Sequence, residues 1–353
     1  MKKIAAIALA LVFALSLAAC GPKESYEIAL VTDVGNIDDK SFNQGAWEGV
    51  VEFAEANSKT YNYYRPSEDS TEARVETIKT AISKGAKVVV CPGFMFAEAI
   101  ANVQSENPEI MFLVLDVALS DMSTPPAANT ALVTYQEDQS GYLAGYAAVK
   151  DGYTKLGFLG GMAVPAVVRF GYGFVQGAND AAKEMGIVDQ IEMKYWYGNS
   201  FGPTDDIKTK MSGWYTEGTE VVFACGGGIY LSAVAAAEEA GAKVIGVDRD
   251  QSGESDLFIT SATKALTPST VIALTALYNN NGTWPAEYAG LETKLGAKDD
   301  CVGLPTNDTA WRLNTFTVEE YNALFEKVKS GEVAISSAID VEPAVEIAVD
   351  YQG

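Results

Sequence analysis

The sequence predicts an α/β protein built as two lobes, each a doubly wound parallel sheet, and three observations carry that expectation. Short, near-continuous apolar runs alternate with stretches of helical periodicity along most of the chain, as parallel strands covered by helices on both faces require. The order also repeats internally. KVVVCPGF, a helix and MFLVLD ending on Asp116 are echoed by EVVFACGGG, a helix and KVIGVD ending on Asp248. Finally, a chain of about 330 residues after loss of an N-terminal segment is large for one core and suits two.

That N-terminal segment reads as processing signal rather than fold. Lys2 and Lys3 form a positive region, and residues 4–17 are an apolar core too short to span a bilayer comfortably. Leu17-Ala18-Ala19-Cys20 then places a cysteine directly after small residues, which is what bacterial lipoprotein processing needs, because the thiol takes the diacylglycerol. Residues 1–19 are therefore expected to be a lipoprotein signal peptide and 20–25 a lipidated tether. Two or three acyl chains on Cys20 anchor stably where one would not. The expected location is the outer face of the cytoplasmic membrane.

The elements follow in order. Residues 28–31 are a strand, 32–40 a polar loop, and a helix then starts with Ser41 and Gln44 as a capping box and Trp47, Val50, Val51 and Ala54 at helical spacing. A helix is expected over 71–83, a strand over 87–91 entering the Pro92-Gly93 turn, a helix over 95–105, and strands over 110–115 and 131–135. A helix over 139–148 and a strand over 155–159 open the second set. Helices over 170–184, 204–214 and 229–240 and strands over 191–197, 221–224 and 243–247 complete it, with further helices over 269–279 and 318–329. Two such lobes facing each other bring their Asp-tipped strand ends to one cleft. This is the architecture of the type I periplasmic-binding-protein fold, whose three crossovers serve as hinges. The crossovers are placed near Tyr135, Thr263 and Gly296. The lobes are then 26–135 plus 263–295 and 136–262 plus 296–353.

Charge and composition narrow the chemistry. The formal net charge is −22, and loss of Lys2 and Lys3 makes it −24. Such a surface repels nucleic acid and holds no general attraction for phosphorylated ligands, so a neutral solute fits best. The chain has no histidine, which excludes Ser-His-Asp and Cys-His catalysis and His-ligated metals. Cys91, Cys225 and Cys301 remain after Cys20. None has a CxxC partner, and buried free thiols are expected at the ends of the strands carrying Cys91 and Cys225. No metal or cofactor is expected.

The stretch VTDVGNIDDKSFNQGAWEG, residues 31–49, resembles the opening signature of the basic membrane protein family. The family's members are lipid-anchored substrate-binding proteins of ABC importers, typified by purine nucleoside receptors. The resemblance runs from about Tyr26 into the C-terminal region. It implies a receptor that closes two lobes around a nucleoside and hands it to a membrane permease, acting as a monomer.

The candidate site residues combine the two lines of reasoning. Asp33 ends the first strand in a ligand loop, where a carboxylate accepts from base N–H donors or sugar hydroxyls; otherwise it is a turn residue. Phe42 resembles the family's first base-stacking aromatic, the alternative being packing with Ala46 and Phe53; Asn43 lies beside it. Phe201, in YWYGNSFGP, resembles the second, with Asn199 standing where the family pattern reads Gly-Ser directly and Trp196 as the alternative. Gly226-Gly227-Gly228 lacks the GxGxxG spacing of a dinucleotide site. It suits bare backbone close to a sugar, with Gly227 the best single residue. Asp248 is a ribose-hydroxyl candidate, Lys264 resembles the family lysine that reaches the ligand from the second crossover, and Asp116 follows from the lobe echo. A receptor for riboflavin or a sugar, a cofactor-dependent α/β enzyme using residues 226–228, and a ligand-responsive regulator are the other readings.

Overall fold

The computed structural model describes residues 25–352; the expected signal segment over residues 1–19 and the expected lipidation at Cys20 lie outside them. Chain order is β1 (Ile28–Val31), α1 (Phe42–Ala56), β2 (Tyr61–Tyr64), α2 (Thr71–Ser83), β3 (Val88–Pro92), α3 (Ala97–Val103), β4 (Met111–Leu115) and β5 (Thr130–Tyr135). Then come α4 (Glu137–Lys150), β6 (Lys155–Gly160), α5 (Pro165–Met185), β7 (Glu192–Tyr197), α6 (Asp205–Thr216), β8 (Val221–Cys225), α7 (Tyr230–Ala240) and β9 (Lys243–Asp248). The chain ends with β10 (Phe258–Lys264), α8 (Leu266–Asn279), β11 (Glu292–Leu295), β12 (Val302–Gly303), α9 (Val318–Ser330) and β13 (Ala348–Gln352).

Two sheets result. The first runs β11-β5-β4-β3-β1-β2 and the second β12-β10-β9-β8-β6-β7-β13. Pairing is parallel except where β12 runs against β10. The orders β5-β4-β3-β1-β2 and β10-β9-β8-β6-β7 are the same doubly wound topology. Backbone passes between the sheets after Tyr135, after Lys264 and after Leu295.

Strand pleating sorts the core. Ile28, Leu30, Val88 and Val90 point into one large apolar cluster that continues into the second lobe. Ala29, Val31, Val89 and Cys91 point to the opposite face of the first sheet, under α2 and α3. An equivalent outer cluster built on Val222, Ala224 and Trp214 covers the second sheet. Cys91, Cys225 and Cys301 are buried free thiols.

Two features of α1 depart from the sequence expectation. The buried face is Ala46, Val50, Phe53 and Ala54, whereas Trp47 and Val51 are half-buried. Trp47 instead meets Tyr61 and Tyr63 of the edge strand β2, with ring centroids 5.5 Å away in each case. Ser41 makes no capping hydrogen bond. The Asp39 carboxylate takes the backbone N–H groups of Ser41, Asn43 and Gln44 at 2.9, 3.0 and 3.1 Å, so the capping side chain comes two residues before Ser41.

The closest helix pair joins α4 to α5. Along their seam, a Cβ at Gly141 or Gly145 would overlap the carbonyl oxygens of Phe170 and Phe174. A Cβ at Gly173 or Gly177 would overlap those of Asp138 and Tyr142. Four glycines therefore let the two backbones touch, and the start of α4 is held rigidly against the start of α5.

Candidate functional site

In each sheet strand order reverses once, between β1 and β3 and between β6 and β8. Outside the carboxyl ends of the strands at such a point, doubly wound folds leave a crevice. The two crevices face each other and form one cavity lined by both lobes. The first lobe supplies Asp33 and Asp39 after β1, Phe42 and Asn43 at the start of α1, Gly93 after β3 and Asp116 after β4. The second supplies Phe201 after β7, Gly226 and Gly227 after β8, Asp248 at the end of β9 and Lys264 at the end of β10. Val167 and Phe170 of α5 close the inner wall. All eight residues singled out from the sequence thus line the same space. Trp196 does not: it packs on the outer cluster, with the Lys210 ammonium 5.6 Å from its ring.

The lobes repeat one another in detail. Gly93 and Gly226 follow equivalent strands with φ of +124° and +138°. At the ends of the next pair of strands, Asp116 and Asp248 have φ of +59° and +67°. A left-handed backbone at a non-glycine residue costs of order 1–3 kcal/mol and persists where surroundings over-determine it, typically at functional sites. Each aromatic lies against its lobe's glycine turn. Phe42 Cε1 would be 3.8 Å from a Cβ at Gly93, and Phe201 Cδ1 would be 2.9 Å from one at Gly226. A side chain at Gly226 would therefore push Phe201 out of place.

The polar groups form a connected set. Asp33 Oδ1 accepts from the Gly35 N–H at 2.7 Å and from Asn43 Nδ2 at 2.9 Å. Released from capping, the Ser41 hydroxyl donates across the cleft to Asp248 Oδ2 at 2.5 Å. Lys264 is 4 % exposed, with its Nζ 2.5 Å from Asp116 Oδ2, 3.5 Å from Glu137 Oε1 and 3.8 Å from Asp248 Oδ1. It also sits 4.6 Å from the centroid of the Phe42 ring and 5.2 Å from that of Tyr135. Glu137 in turn accepts from Arg169 Nε at 2.6 Å.

Burial governs the electrostatics. It pushes Asp33 up to about 6, against the hydrogen bonds from Gly35 and Asn43. It also raises Asp116 and Asp248, against the pull of Lys264 on both. For Lys264 burial acts the other way, but Asp116, Glu137 and Asp248 outweigh it and hold the ammonium above the ordinary lysine range. Lys264 stays cationic and is surrounded by carboxylates. The lining carries Asp33, Asp39, Asp116 and Asp248 against this single cation, so a phosphate would meet repulsion here. Asp116 lines the cavity, and its Oδ1 is among the buried side-chain oxygens of the described residues that have no hydrogen-bond partner. What the cavity can do chemically is grip a neutral, partly aromatic molecule carrying several hydrogen-bond donors.

Sequence reasoning missed Asp39, Ser41, Glu137, Arg169 and Gly93. Asp39 was within reach, since aspartate is a preferred cap and precedes the helix. Glu137 and Arg169 meet only because α4 packs on α5, which no local pattern encodes.

Fold and cavity together define a two-lobed solute receptor of the type I periplasmic-binding-protein class. The chain belongs to the Bmp family, described as PnrA-like ABC transporter substrate-binding proteins, which its residues 27–338 match. It is thus a binding component of a transport system rather than an enzyme. It is 30 % identical over 242 residues to the ABC transporter nucleoside-binding protein BmpA of Lactococcus lactis subsp. cremoris, covering 65 % of each chain. Basic membrane protein B of Borreliella burgdorferi is 29 % identical over 317 residues, 83 % of this chain and 87 % of that protein. Among solved structures, an ABC transporter solute-binding protein from Aeropyrum pernix superposes with a TM-score of 0.75 at 21 % identity, covering 89 % of this chain and 94 % of that one. An arabinose-binding protein from Geobacillus stearothermophilus shares the fold at a TM-score of 0.59 and 13 % identity, covering 82 % and 99 %.

Proposed function

We propose that this protein is the lipid-anchored receptor of an ABC importer for nucleosides, with a purine nucleoside as the first candidate. The single observation that carries the reading is the pair Phe42 and Phe201, brought from opposite lobes to one cavity and each seated on its lobe's glycine turn. A flat base held between two rings gains stacking on both faces. Asp33 and Asn43 then meet the base edge, while Asp248, Lys264 and the Gly227 backbone hold the ribose and Asp116 supplies its free oxygen. The carboxylate-rich lining favours the nucleoside over its phosphates. Cys20 carries the lipid, the loaded monomer docks on its permease, and the segments after Tyr135, Lys264 and Leu295 act as the hinge. Among the described residues no helix is long and apolar enough to cross a membrane, so on this reading the acyl chains do the anchoring. Acyl labelling is expected in wild type and absent in Cys20→Ser.

The deciding experiment is calorimetry on the mature protein with adenosine, guanosine, uridine, riboflavin and arabinose. At least one nucleoside is expected to bind, and Phe42→Ala to weaken it by about 1–3 kcal/mol, the loss of one base–aromatic stack. Binding of riboflavin or arabinose without any nucleoside would overturn the reading.

A further inference from the structure

Behind the cavity wall lies an ion pair that reaches the cavity only through Lys264. Glu137 is the first residue of α4 and is completely buried; Arg169 is in the first turns of α5, with its side chain 11 % exposed. Neither lines the cavity. Glu137 divides its two oxygens: Oε2 accepts from Arg169 Nε at 2.6 Å, and Oε1 lies 3.5 Å from Lys264 Nζ. Lys264 is thereby offered three carboxylates and sits closest to Asp116, at 2.5 Å.

Charge balance explains that choice. A fully buried carboxylate lacking a close partner is strongly unfavourable, so an unpaired Glu137 would draw the nearest cation to itself. The nearest cation after Arg169 is Lys264. Arg169 satisfies one oxygen of Glu137 and offsets its charge, which leaves the ammonium to Asp116 and Asp248 at the cavity surface. The glycine seam between α4 and α5 fixes the distance over which this happens. We propose that Glu137 and Arg169 form a positioning pair that sets where Lys264 stands, and through it the affinity of the cavity, without touching the solute. The affinity part rests on the nucleoside reading; the placement of Lys264 does not.

The test compares Arg169→Gln, Glu137→Gln and the double variant in the full mature chain. Two measurements are made: calorimetry with guanosine and adenosine, and the side-chain ammonium resonance of Lys264 in lysine-labelled protein without added nucleoside. Arg169→Gln is expected to lose about tenfold in affinity or more and to shift the Lys264 resonance, because Glu137 captures the ammonium. The double variant removes both charges together, so affinity is expected to return to within about threefold of wild type and the resonance to move back. Compensation of this kind is the signature of coupled groups, whereas independent packing losses add. A double variant as weak as Arg169→Gln, or an Arg169→Gln protein like wild type in both measurements, overturns the proposal. If Arg169→Gln does not fold, the same comparison is made against Glu137→Gln, and the double variant must bind more tightly than that single change. If no nucleoside binds wild type, the nucleoside reading fails and the resonance alone decides this one.

Discussion

Asp33 shows what burying a carboxylate in the cavity wall does to the molecule around it. Its proton is held up to about 6 by burial, against an ordinary value of 3.8. The fold therefore prefers the protonated form, and the unfolded chain releases that proton first as pH rises. The stability this group contributes is present below about pH 4 and is lost as pH climbs through about 6. The difference between those two values corresponds to at most about 3 kcal/mol. Asp33→Asn is accordingly expected to stabilise the protein without added solute by about 1–3 kcal/mol at pH 7.5 and to give no gain at pH 4. Urea unfolding at the two pH values measures it, and equal effects at both would refute the assignment. Solute binding should run the other way, weakening as pH falls through about 6, because a protonated Asp33 no longer offers a full acceptor.

Asp248 poses a different question at the same scale. One oxygen already holds Ser41, and the other faces Lys264 at 3.8 Å, which leaves room on that oxygen for a donor from the solute. Hydrogen bonds to charged groups are worth about 1.5–3 kcal/mol, and a site built around one rejects the analogue that lacks the donor. We expect wild type to bind a ribonucleoside on the order of tenfold or more tightly than its 2′- or 3′-deoxy form, and Asp248→Asn to lose most of that difference. Undiminished discrimination in the variant would move the ribose contact elsewhere.

Among the elements, the α4–α5 seam is the most exacting. Replacing Gly177 by valine sets a branched side chain against the Tyr142 carbonyl, and backbone on both sides prevents relief. Overpacking in a core costs about 1–3 kcal/mol, and a main-chain clash lies at or beyond the top of that range. Urea unfolding should show the loss, and a variant within about 0.5 kcal/mol of wild type would mean that the seam can open. The seam was invisible in the sequence for a physical reason: glycine in a helix reads as a weak helix former, and only the partner helix reveals why it is there. The same limit applies elsewhere. Central strands such as β3 and β8 are buried on both faces and announced themselves as apolar runs. The edge strand β2, with the sequence Tyr-Asn-Tyr-Tyr, is half-solvated. The strand β10, FITSATK, is buried but interrupted by threonine and serine, and no apolar pattern marked either. Asp116 and Asp248 were legible because the lobes repeat, and Phe42 because its flanking motif is distinctive. Ser41 was read as a cap when its hydroxyl in fact crosses the cleft, since a capping box looks the same whether or not an earlier aspartate already caps the helix.

For the whole molecule, the two lobes contribute comparable shares of the cavity and are joined by three backbone passages. A solute that bonds to both lobes favours the arrangement in which both reach it. Solution scattering is expected to give a smaller radius of gyration with saturating nucleoside, and an unchanged profile would argue for a rigid site.

Cys225 offers a chemical clock for the same motion. It closes β8, is 1 % exposed and lines the cavity, whereas Cys91, one residue before the end of the equivalent strand β3, does not reach it. Burial holds the Cys225 thiol well above its ordinary range, so little thiolate is present and a reagent must enter between the lobes to find it. Alkylation at this one sulfur, followed by mass spectrometry, then counts how often the lobes part. Bound nucleoside should slow it in proportion to occupancy while leaving the rate at Cys301 unchanged. Equal rates with and without nucleoside would mean that the thiol is reached by another path. A residue with no evident part in holding the solute thus becomes the place where the time the molecule spends open can be read.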